Sequence, residues 1–119
     1  RSLCDEQWTM LYVSEAFERL TGYNAEDVIG NKQIDFASII HPDDREKMYV
    51  ETLKAIEQNK PFQVEYRIIR KDGEIRWFWE QGSGLRDKVG NLQTIEGYMT
   101  DITLQKQANA RIQESEQRF

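Results

Sequence analysis

The periodicity of the apolar residues changes once along the chain, and this change constrains the fold more than any other feature. Apolar positions between residues 48 and 56 recur at helical intervals, whereas apolar and polar residues alternate from Phe62 onward. The first spacing predicts an amphipathic helix and the second a strand covered on one face. The helix is expected to open at residues 41–46 (HPDDRE), where Asp43 and Glu46 stand at the spacing of a capping box, and to close at residues 59–61.

The second half of the chain is predicted to form an antiparallel meander. An Asp-Gly pair within residues 71–74 (KDGE) indicates a tight hairpin after the strand that begins at Phe62. Residues 75–85 must then return as the next strand. Residues 87–91 (DKVGN) form another turn, and residues 92–102 are expected to be the last strand of the meander.

Shorter elements are predicted before the long helix. Residues 8–13 (WTMLYV) favour a strand, with residues 3–5 as a short partner across a turn at Glu6 and Gln7. Short helices are then expected at residues 15–20, 24–28 and 36–40, capped or ended by Gly22, Asn24, Gly30 and Asp35. This order of elements predicts an α+β domain.

The tail, residues 104–119, is polar apart from a thin apolar stripe. Leu104, Ala108, Ile112 and Phe119 share one helical face. Such a stripe is too narrow to build a core, and it indicates a helix that pairs with another chain.

Composition narrows the classes of function. The chain has 119 residues, 39% of them hydrophobic and 31% charged, which suits one soluble domain. Its formal net charge is −5 and its basic residues are interspersed with acids, so nucleic acid and anionic membranes are poor partners. Apolar runs are too short to cross a bilayer. Cys4 is the only cysteine, which excludes an intrachain disulfide and favours a reducing, cytoplasmic location.

Little in the sequence indicates catalysis. A metal or acid–base site can be imagined at His41 with Asp43 and Asp44, but these residues fit a helix start better, because Pro42 suits a first turn and acids favour its positive end. Signatures of a nucleophile with its base, of a metal cluster and of a phosphate loop do not occur. An alternative remains a small enzyme that uses Glu80 or Asp35 as general base on a hydrophobic substrate.

Several short motifs, in one order, carry a resemblance to a known family. They are residues 17–23 (FERLTGY), 41–44 (HPDD), 65–67 (EYR), 70–73 (RKDG), 76–77 (RW), Gly90, Gly97 and residues 101–103 (DIT). Together they resemble the PAS domain, with its C-terminal PAC motif at about residues 62–103. The resemblance assigns residues 1–103 to the PAS domain and residues 104–119 to a linker or signalling helix. Residues 111–119 (RIQESEQRF) look like the lead-in to a further PAS domain, as in bacterial-type signalling proteins with tandem PAS domains.

The resemblance implies a fold and a function. The fold is a five-stranded antiparallel sheet in the order 2-1-5-4-3, with short helices on one face. The function is that of a non-catalytic sensory and interaction module that regulates a downstream histidine kinase or cyclic-dinucleotide enzyme, a diguanylate cyclase or phosphodiesterase. The alternative is a ligand-free PAS scaffold used only for dimerisation and spacing.

The strand at residues 75–85 carries large side chains on both faces, so periodicity alone leaves its inner face undecided. Similarity to PAS relatives places one set inward, where it either lines a ligand pocket or merely fills the core: Tyr66, Ile68, Phe78, Glu80, Ile95 and Met99, with the glycines Gly82 and Gly97. The opposite set, Ile69, Trp77, Trp79 and Tyr98, is expected to form an apolar outer face. We expect a homodimer through this face and the C-terminal helix, next to a neighbouring PAS or output domain.

Two polar positions carry specific expectations. An inward Glu80 must be paired or hydrogen-bonded, either structurally with Arg76 or Arg67 or functionally with a polar ligand. The other is the junction Asp101, Ile102 and Thr103, where PAS domains lead into their signalling helix and where Asp101 is expected to cap the helix.

Neither haem nor flavin is expected. Flavin-binding relatives use a cysteine in the stretch that matches residues 31–35 (NKQID), and haem-binding relatives use a histidine from the long helix, here residues 44–59. Both residues are missing from this sequence. A different small molecule of unknown identity stays open as a ligand.

Overall fold

The computed structural model describes residues 1–5, 8–30 and 34–117. Its short helices follow the predicted order, and their bounds are α1 (Ala16–Thr21), α2 (Ala25–Val28) and α3 (Phe36–Ile39). Helix α1 ends at Gly22, whose φ of 80° lies in the left-handed region that glycine adopts without steric cost. Asn24 and Asp35 occupy the N-cap positions of α2 and α3, although neither side chain makes a capping hydrogen bond.

The long helix α4 (Pro42–Glu57) lies where it was predicted, but the capping box at its start was wrong. His41 is the N-cap, and its Nδ1 accepts a hydrogen bond of 3.1 Å from the backbone N–H of Asp43. Asp44 reaches across to the sheet, where it accepts hydrogen bonds from the backbone N–H, Nε and Nη2 of Arg67 at 2.7–3.0 Å. These hydrogen bonds hold the pKa of Asp44 below its ordinary value. Residues 41–44 (HPDD) therefore start the helix and also hydrogen-bond it to the sheet.

The meander is confirmed nearly residue for residue. Strands β1 (Phe62–Ile69), β2 (Ile75–Arg86) and β3 (Leu92–Asp101) form an antiparallel sheet in the order β1-β2-β3. Tyr66 pairs with Phe78 and Glu80 with Met99, so these residues share the inner face. β3 passes close to Gly82, since a Cβ there would lie 2.4 Å from the carbonyl oxygen of Glu96.

The expectation of five strands was wrong for the part of the chain that the structure describes, which contains three. The N-terminal segments are joined by isolated bridges instead: antiparallel from Ser2 to Met10 and from Ser2 to Ile95, and parallel from Met10 to Ile29. Two features bend the chain here: Trp8 has a φ of 55°, and both carboxylate oxygens of Asp5 bind Thr9. The bridges nevertheless place the Met10 segment beside Ser2 and Ser2 beside β3, in the predicted spatial order. The turn residues Glu6 and Gln7 lie outside the described residues.

The core lies between the inner face of the sheet and the helices. Tyr66, Ile68 and Phe78 are fully buried, and Phe36 and Ile39 of α3 cover them from the helical side. Trp8 is buried as well, edge-on to Tyr49 of α4 at a centroid distance of 5.7 Å. The last helix, α5 (Thr103–Gln117), begins directly after β3 and contacts β2. None of the described helices is long and apolar enough to cross a membrane.

Candidate functional site

A cavity of about 290 Å³ opens between the N-terminal segment, α1, α3 and strand β3. Its wall is mainly apolar, and Glu80 of β2 contributes a carboxyl group. The main apolar residues around it are Met10, Phe17, Leu20, Phe36, Ile95 and Met99. This volume lies near the lower end of the range for small-molecule sites, which are typically apolar with a few polar groups.

The structure divides the predicted pocket residues into two groups. Glu80, Ile95 and Met99 line the cavity. Tyr66, Ile68 and Phe78 lie on the same face of the sheet but are fully buried in the core beside it. The cavity residues on the N-terminal segment and the short helices were missed, because elements of four to six residues show no reliable periodicity. Phe17 lies within a family motif, which was the only available signal for this wall.

Glu80 is held by Tyr66 and not by either arginine considered from the sequence. The Tyr66 hydroxyl donates a hydrogen bond of 2.6 Å to Oε1 of Glu80. Arg76 pairs instead with Asp101 and Glu74, and Arg67 pairs with Asp44. Burial raises the pKa of Glu80 to about 7, although the Tyr66 hydrogen bond opposes the shift. Glu80 therefore changes its charge near neutral pH, at the wall of the cavity.

The junction between β3 and α5 is a small hydrogen-bonded network. Asp101 accepts hydrogen bonds from Nε of Arg76 and from the backbone N–H of Thr103, each at 2.9 Å. The buried Thr103 hydroxyl accepts one of 2.8 Å from the backbone N–H of Trp77, whose carbonyl accepts from Ile102 N–H at 2.9 Å. Burial alone would raise the pKa of Asp101, but the hydrogen bonds outweigh it and hold the pKa below its ordinary value. The helix starts at Thr103, one residue earlier than predicted, so Asp101 lies just before the N-cap position and its carboxylate accepts the backbone N–H of the first helical residue.

Removing the Thr103 hydroxyl should loosen this junction. Thr103→Val keeps the shape but leaves the Trp77 N–H without an acceptor, which should lower the free energy of unfolding by about 1–2 kcal/mol. Denaturant unfolding measures the loss, and faster amide exchange at the start of α5 locates it. Thr103→Ser is the matched control because it keeps the hydroxyl. Equal losses in both variants would mean that the methyl group, and not the hydrogen bond, holds the junction.

The outer face of the sheet differs from the exposed apolar patch that the sequence predicted. Of the four expected residues only Tyr98, at 59%, is exposed, whereas Ile69, Trp77 and Trp79 are partly buried. Two cationic groups contact the Trp77 ring: Cζ of Arg67 lies 5.3 Å and Nζ of Lys106, from α5, 4.7 Å from the ring centroid. The start of α5 thus covers Trp77 within the chain.

Trp79 belongs to the other half of this face. It packs edge-on against Tyr98, with ring centroids 6.0 Å apart, and the Tyr98 hydroxyl donates to Oε1 of Gln81 at 2.9 Å. The two tryptophans therefore have different surroundings, one beneath the chain's own helix and one beside an exposed tyrosine.

Haem and flavin were expected to be absent because α4 lacks a histidine and residues 31–35 lack a cysteine. Helix α4 contains no histidine, and His41 is occupied as its N-cap. Asn31, Lys32 and Gln33, in the stretch where flavin-binding relatives place a cysteine, lie outside the described residues. Within residues 1–5, 8–30 and 34–117, no cluster of three or more His, Cys, Asp or Glu side chains could hold a metal ion. The absence of haem and flavin stays a prediction.

Several known proteins that are similar to this chain carry the name of a sensor. The chain is 35% identical over 106 residues to the methyl sulfide methyltransferase-associated sensor of Methanosarcina acetivorans, covering 88% of this chain and 10% of that protein. A solved structure of a sensory box histidine kinase/response regulator from Burkholderia thailandensis superposes with a TM-score of 0.73 at 25% identity, covering 90% of this chain and 79% of that one. The N-terminal domain of a diguanylate cyclase with PAS/PAC sensor from Marinobacter aquaeolei gives 0.69 at 25% identity, covering 80% and 85%.

The chain spans only 10–16% of the first three curated relatives, so it corresponds to one part of much longer proteins. The PAS fold family matches residues 10–99, which include most of the cavity wall and nearly all of the meander. The helices, the antiparallel sheet and the inner cavity agree with that match. The chain belongs to the PAS fold family.

Proposed function

We propose that this domain is a sensory module that reports the state of its inner cavity to a downstream output domain through helix α5. One observation carries the proposal: strand β3 both lines the cavity and ends in the junction. Ile95 and Met99 face the cavity, and Asp101, two residues beyond Met99, accepts the backbone N–H of the first residue of α5. A ligand that displaces Met99 therefore acts on the strand that positions the helix.

The relatives support a role in signal transduction. They include a two-component sensor of Pseudomonas aeruginosa and a sensor histidine kinase of Ectopseudomonas mendocina, besides the proteins named above. A histidine kinase or a diguanylate cyclase is accordingly the output that we propose for the parent protein. The tandem arrangement of PAS domains, the PAC motif and the cytoplasmic location stay predictions.

A sensory role fits the cavity better than a catalytic or purely structural one. The small-enzyme hypothesis required a carboxyl group with a raised pKa at a pocket, and Glu80 meets that condition, whereas Asp35 does not line the cavity. The family model and the sensor relatives, however, favour a sensory role over a catalytic one. The scaffold alternative predicted a solid core around Phe78 and Met99. Phe78 is packed solidly, but Met99 borders open space.

Self-association is the second part of the proposal. The apolar stripe of α5 is exposed at Leu104, at 73%, and at Ile112, at 56%, as expected for a helix that pairs with a second copy. Tyr98 and Ile75 add exposed apolar surface on the outer face of the sheet. A homodimer through this face and α5 is the arrangement that we propose.

Filling the cavity should change the dynamics of α5. Met99→Trp replaces a thioether side chain with a larger indole ring in the cavity. It should alter the rate of amide exchange at the start of α5 by about threefold or more, because local opening of the helix depends on the strand that holds it. Hydrogen–deuterium exchange measures this directly. Gln93→Trp is the matched control, since it adds the same ring to an exposed position of β3 outside the cavity.

Two results would contradict the proposal. One is unchanged α5 exchange in a folded Met99→Trp protein, which would uncouple the cavity from the helix. The other is an equal change in Gln93→Trp, which would show that any tryptophan on β3 disturbs the junction. Native mass spectrometry of the purified wild type adds an independent readout, because a retained small molecule supports sensing over the scaffold alternative.

A further inference from the structure

Only one of the two oxygens of the Glu80 carboxyl group accepts a hydrogen bond from the described part of the chain. Its Oε1 accepts the hydrogen bond from Tyr66, and no other residue in the described part of the chain donates a hydrogen bond to the Glu80 side chain. Because Glu80 lines the cavity, its second oxygen is available to whatever enters. The Glu80 side chain is partly buried, and beside an apolar wall a carboxylate oxygen without a protein partner favours an occupant that donates a hydrogen bond or carries positive charge.

The rest of the wall is mainly apolar, with aromatic and aliphatic residues from the N-terminal segment, α1, α3 and β3. Its uncharged polar residues carry hydroxyl groups: Ser2, Tyr12, Ser14 and Tyr98. Arg1 is the other charged residue around the cavity, and its guanidinium forms an ion pair with Glu96. Its amino group donates to the carbonyl of Tyr12 at 2.9 Å. Neither group of Arg1 hydrogen-bonds Glu80, although the amino group lies close enough to favour the ionised carboxylate.

We infer that the cavity binds compact, mainly apolar molecules that carry a single ammonium group, with the ammonium against the free oxygen of Glu80. This inference rests on the proposed sensory function and specifies its ligand class. The apolar wall accommodates the body of the ligand, and the carboxylate discriminates against anions and against neutral molecules of the same shape. At about 30 Å³ for each water-sized group, a volume of about 290 Å³ holds on the order of ten non-hydrogen atoms.

Proton linkage follows from this arrangement. The ammonium pairs with the ionised carboxylate, whereas the empty cavity favours the protonated acid, whose pKa is raised by burial to about 7. Below this pH, binding must release the proton of Glu80 to the buffer. The affinity should therefore rise by up to about tenfold per pH unit below about pH 7 and become flat above it, until the ammonium itself deprotonates. The Tyr66 hydroxyl stays a donor across this range, because burial raises its pKa further.

Paired ligands that differ only in charge test the inference. We would titrate the purified domain with 2-phenylethylamine and its neutral isostere 2-phenylethanol, and with the smaller pair butylamine and 1-butanol, following backbone amide chemical shifts at about pH 8. At least one amine should bind about tenfold or more tightly than its alcohol, and Glu80→Gln should reduce that preference to within about threefold. Calorimetry at about pH 6 in buffers of different ionisation enthalpy should show release of nearly one proton per amine bound.

Controls separate the charge from other effects. Tyr66→Phe keeps the Glu80 carboxylate, so it should retain the preference for amines and provides a second readout if Glu80→Gln fails to fold. A protein extended by residues before Arg1 replaces the free amino group with a peptide bond, and the preference should become no smaller. Met99→Trp should block both members of each pair.

The outcomes distinguish the ligand class from the proposed function. Equal binding of amine and alcohol by the wild type, or an undiminished preference in Glu80→Gln, would overturn the ligand class and leave a sensory cavity for neutral molecules. Absence of binding by all four compounds would also overturn it. The proposed function is tested separately: it fails if a folded Met99→Trp protein leaves the exchange of α5 unchanged, or if Gln93→Trp changes it equally.

Discussion

Raising the pH from about 5 to about 8 should destabilise the isolated domain, and Glu80→Gln should remove most of that loss. The pKa of Glu80 is about 7 in the folded protein, against an ordinary value of 4.5. Between these values the native state holds a proton that the unfolded chain has released. The contribution of Glu80 to stability is therefore complete below about pH 4.5 and lost as the pH rises through about 7.

The expected loss of stability follows from the size of the pKa shift of Glu80. Each pKa unit corresponds to about 1.4 kcal/mol, so the wild type should lose about 2–3 kcal/mol of unfolding free energy from this group across the range. In thermal denaturation, the Tm of the wild type should fall by roughly 10 °C more than the Tm of Glu80→Gln over the same pH range. The difference between the two proteins isolates Glu80 from other groups that titrate in both.

Urea unfolding at several pH values provides the measurement. Glu80→Gln should be more stable than the wild type at about pH 8, because a neutral amide still accepts the Tyr66 hydrogen bond without a buried charge. Parallel pH profiles for the two proteins would contradict the prediction and would mean that Glu80 is ionised in the folded state throughout. Glu96→Gln, at the Arg1 ion pair, is a control that should leave the pH profile close to that of the wild type.

The elements with strong local signals were predictable from the sequence. The Asp-Gly hairpin and the alternation from Phe62 defined β1 and the start of β2, because both depend on neighbouring residues alone. The inner face of β2 was different, since large side chains point to both sides of that strand. Only the resemblance placed Phe78 and Glu80 inward, and the structure agrees with that placement.

The predictions that failed depend on contacts between residues that lie far apart in the sequence. The sequence assigned Asp44 only to the start of its helix. Its pairing with Arg67, 23 positions away, depends on how α4 docks on β1, and no local pattern contains that information. The N-terminal strand was predicted from composition, but the left-handed backbone of Trp8 and the Asp5 side chain bend it. The partner of Glu80 was likewise a matter of tertiary geometry, since Tyr66 lies diagonally opposite on β1.

The two tryptophans of the outer face should respond differently to truncation. Trp79→Ala should weaken the proposed dimer by roughly thirtyfold or more, because loss of an aromatic anchor at an interface costs about 2 kcal/mol or more. Trp79 and the exposed Tyr98 form the aromatic pair that is available to a second copy. The core should be little affected, since the Trp79 side chain lies on the face of the sheet opposite to it.

Trp77→Ala is the matched variant, with the same chemical change two residues away on the same face. Its ring contacts Arg67 and Lys106 of its own chain, and Lys106 also pairs with Glu65 at 2.5 Å. Losing the ring should therefore reduce stability and release the start of α5, with cation–π contributions of about 0.5–1 kcal/mol each. Any effect of Trp77 on dimerisation should follow from this loosening of the helix.

Sedimentation equilibrium and denaturant unfolding of the three proteins separate these roles. The wild type should be a dimer, Trp79→Ala a largely monomeric protein of nearly unchanged stability, and Trp77→Ala a less stable protein. The interface proposal fails if Trp79→Ala keeps the wild-type mass and loses stability instead, since Trp79 would then serve packing within one chain. It also fails if the wild type is monomeric at concentrations well above about 100 μM, because an interface of that weakness corresponds to less than about 6 kcal/mol of association free energy. In a dimer, the exposed stripe of α5 would face its symmetry mate, and release of α5 at the Trp77 contact would change how the two helices pair.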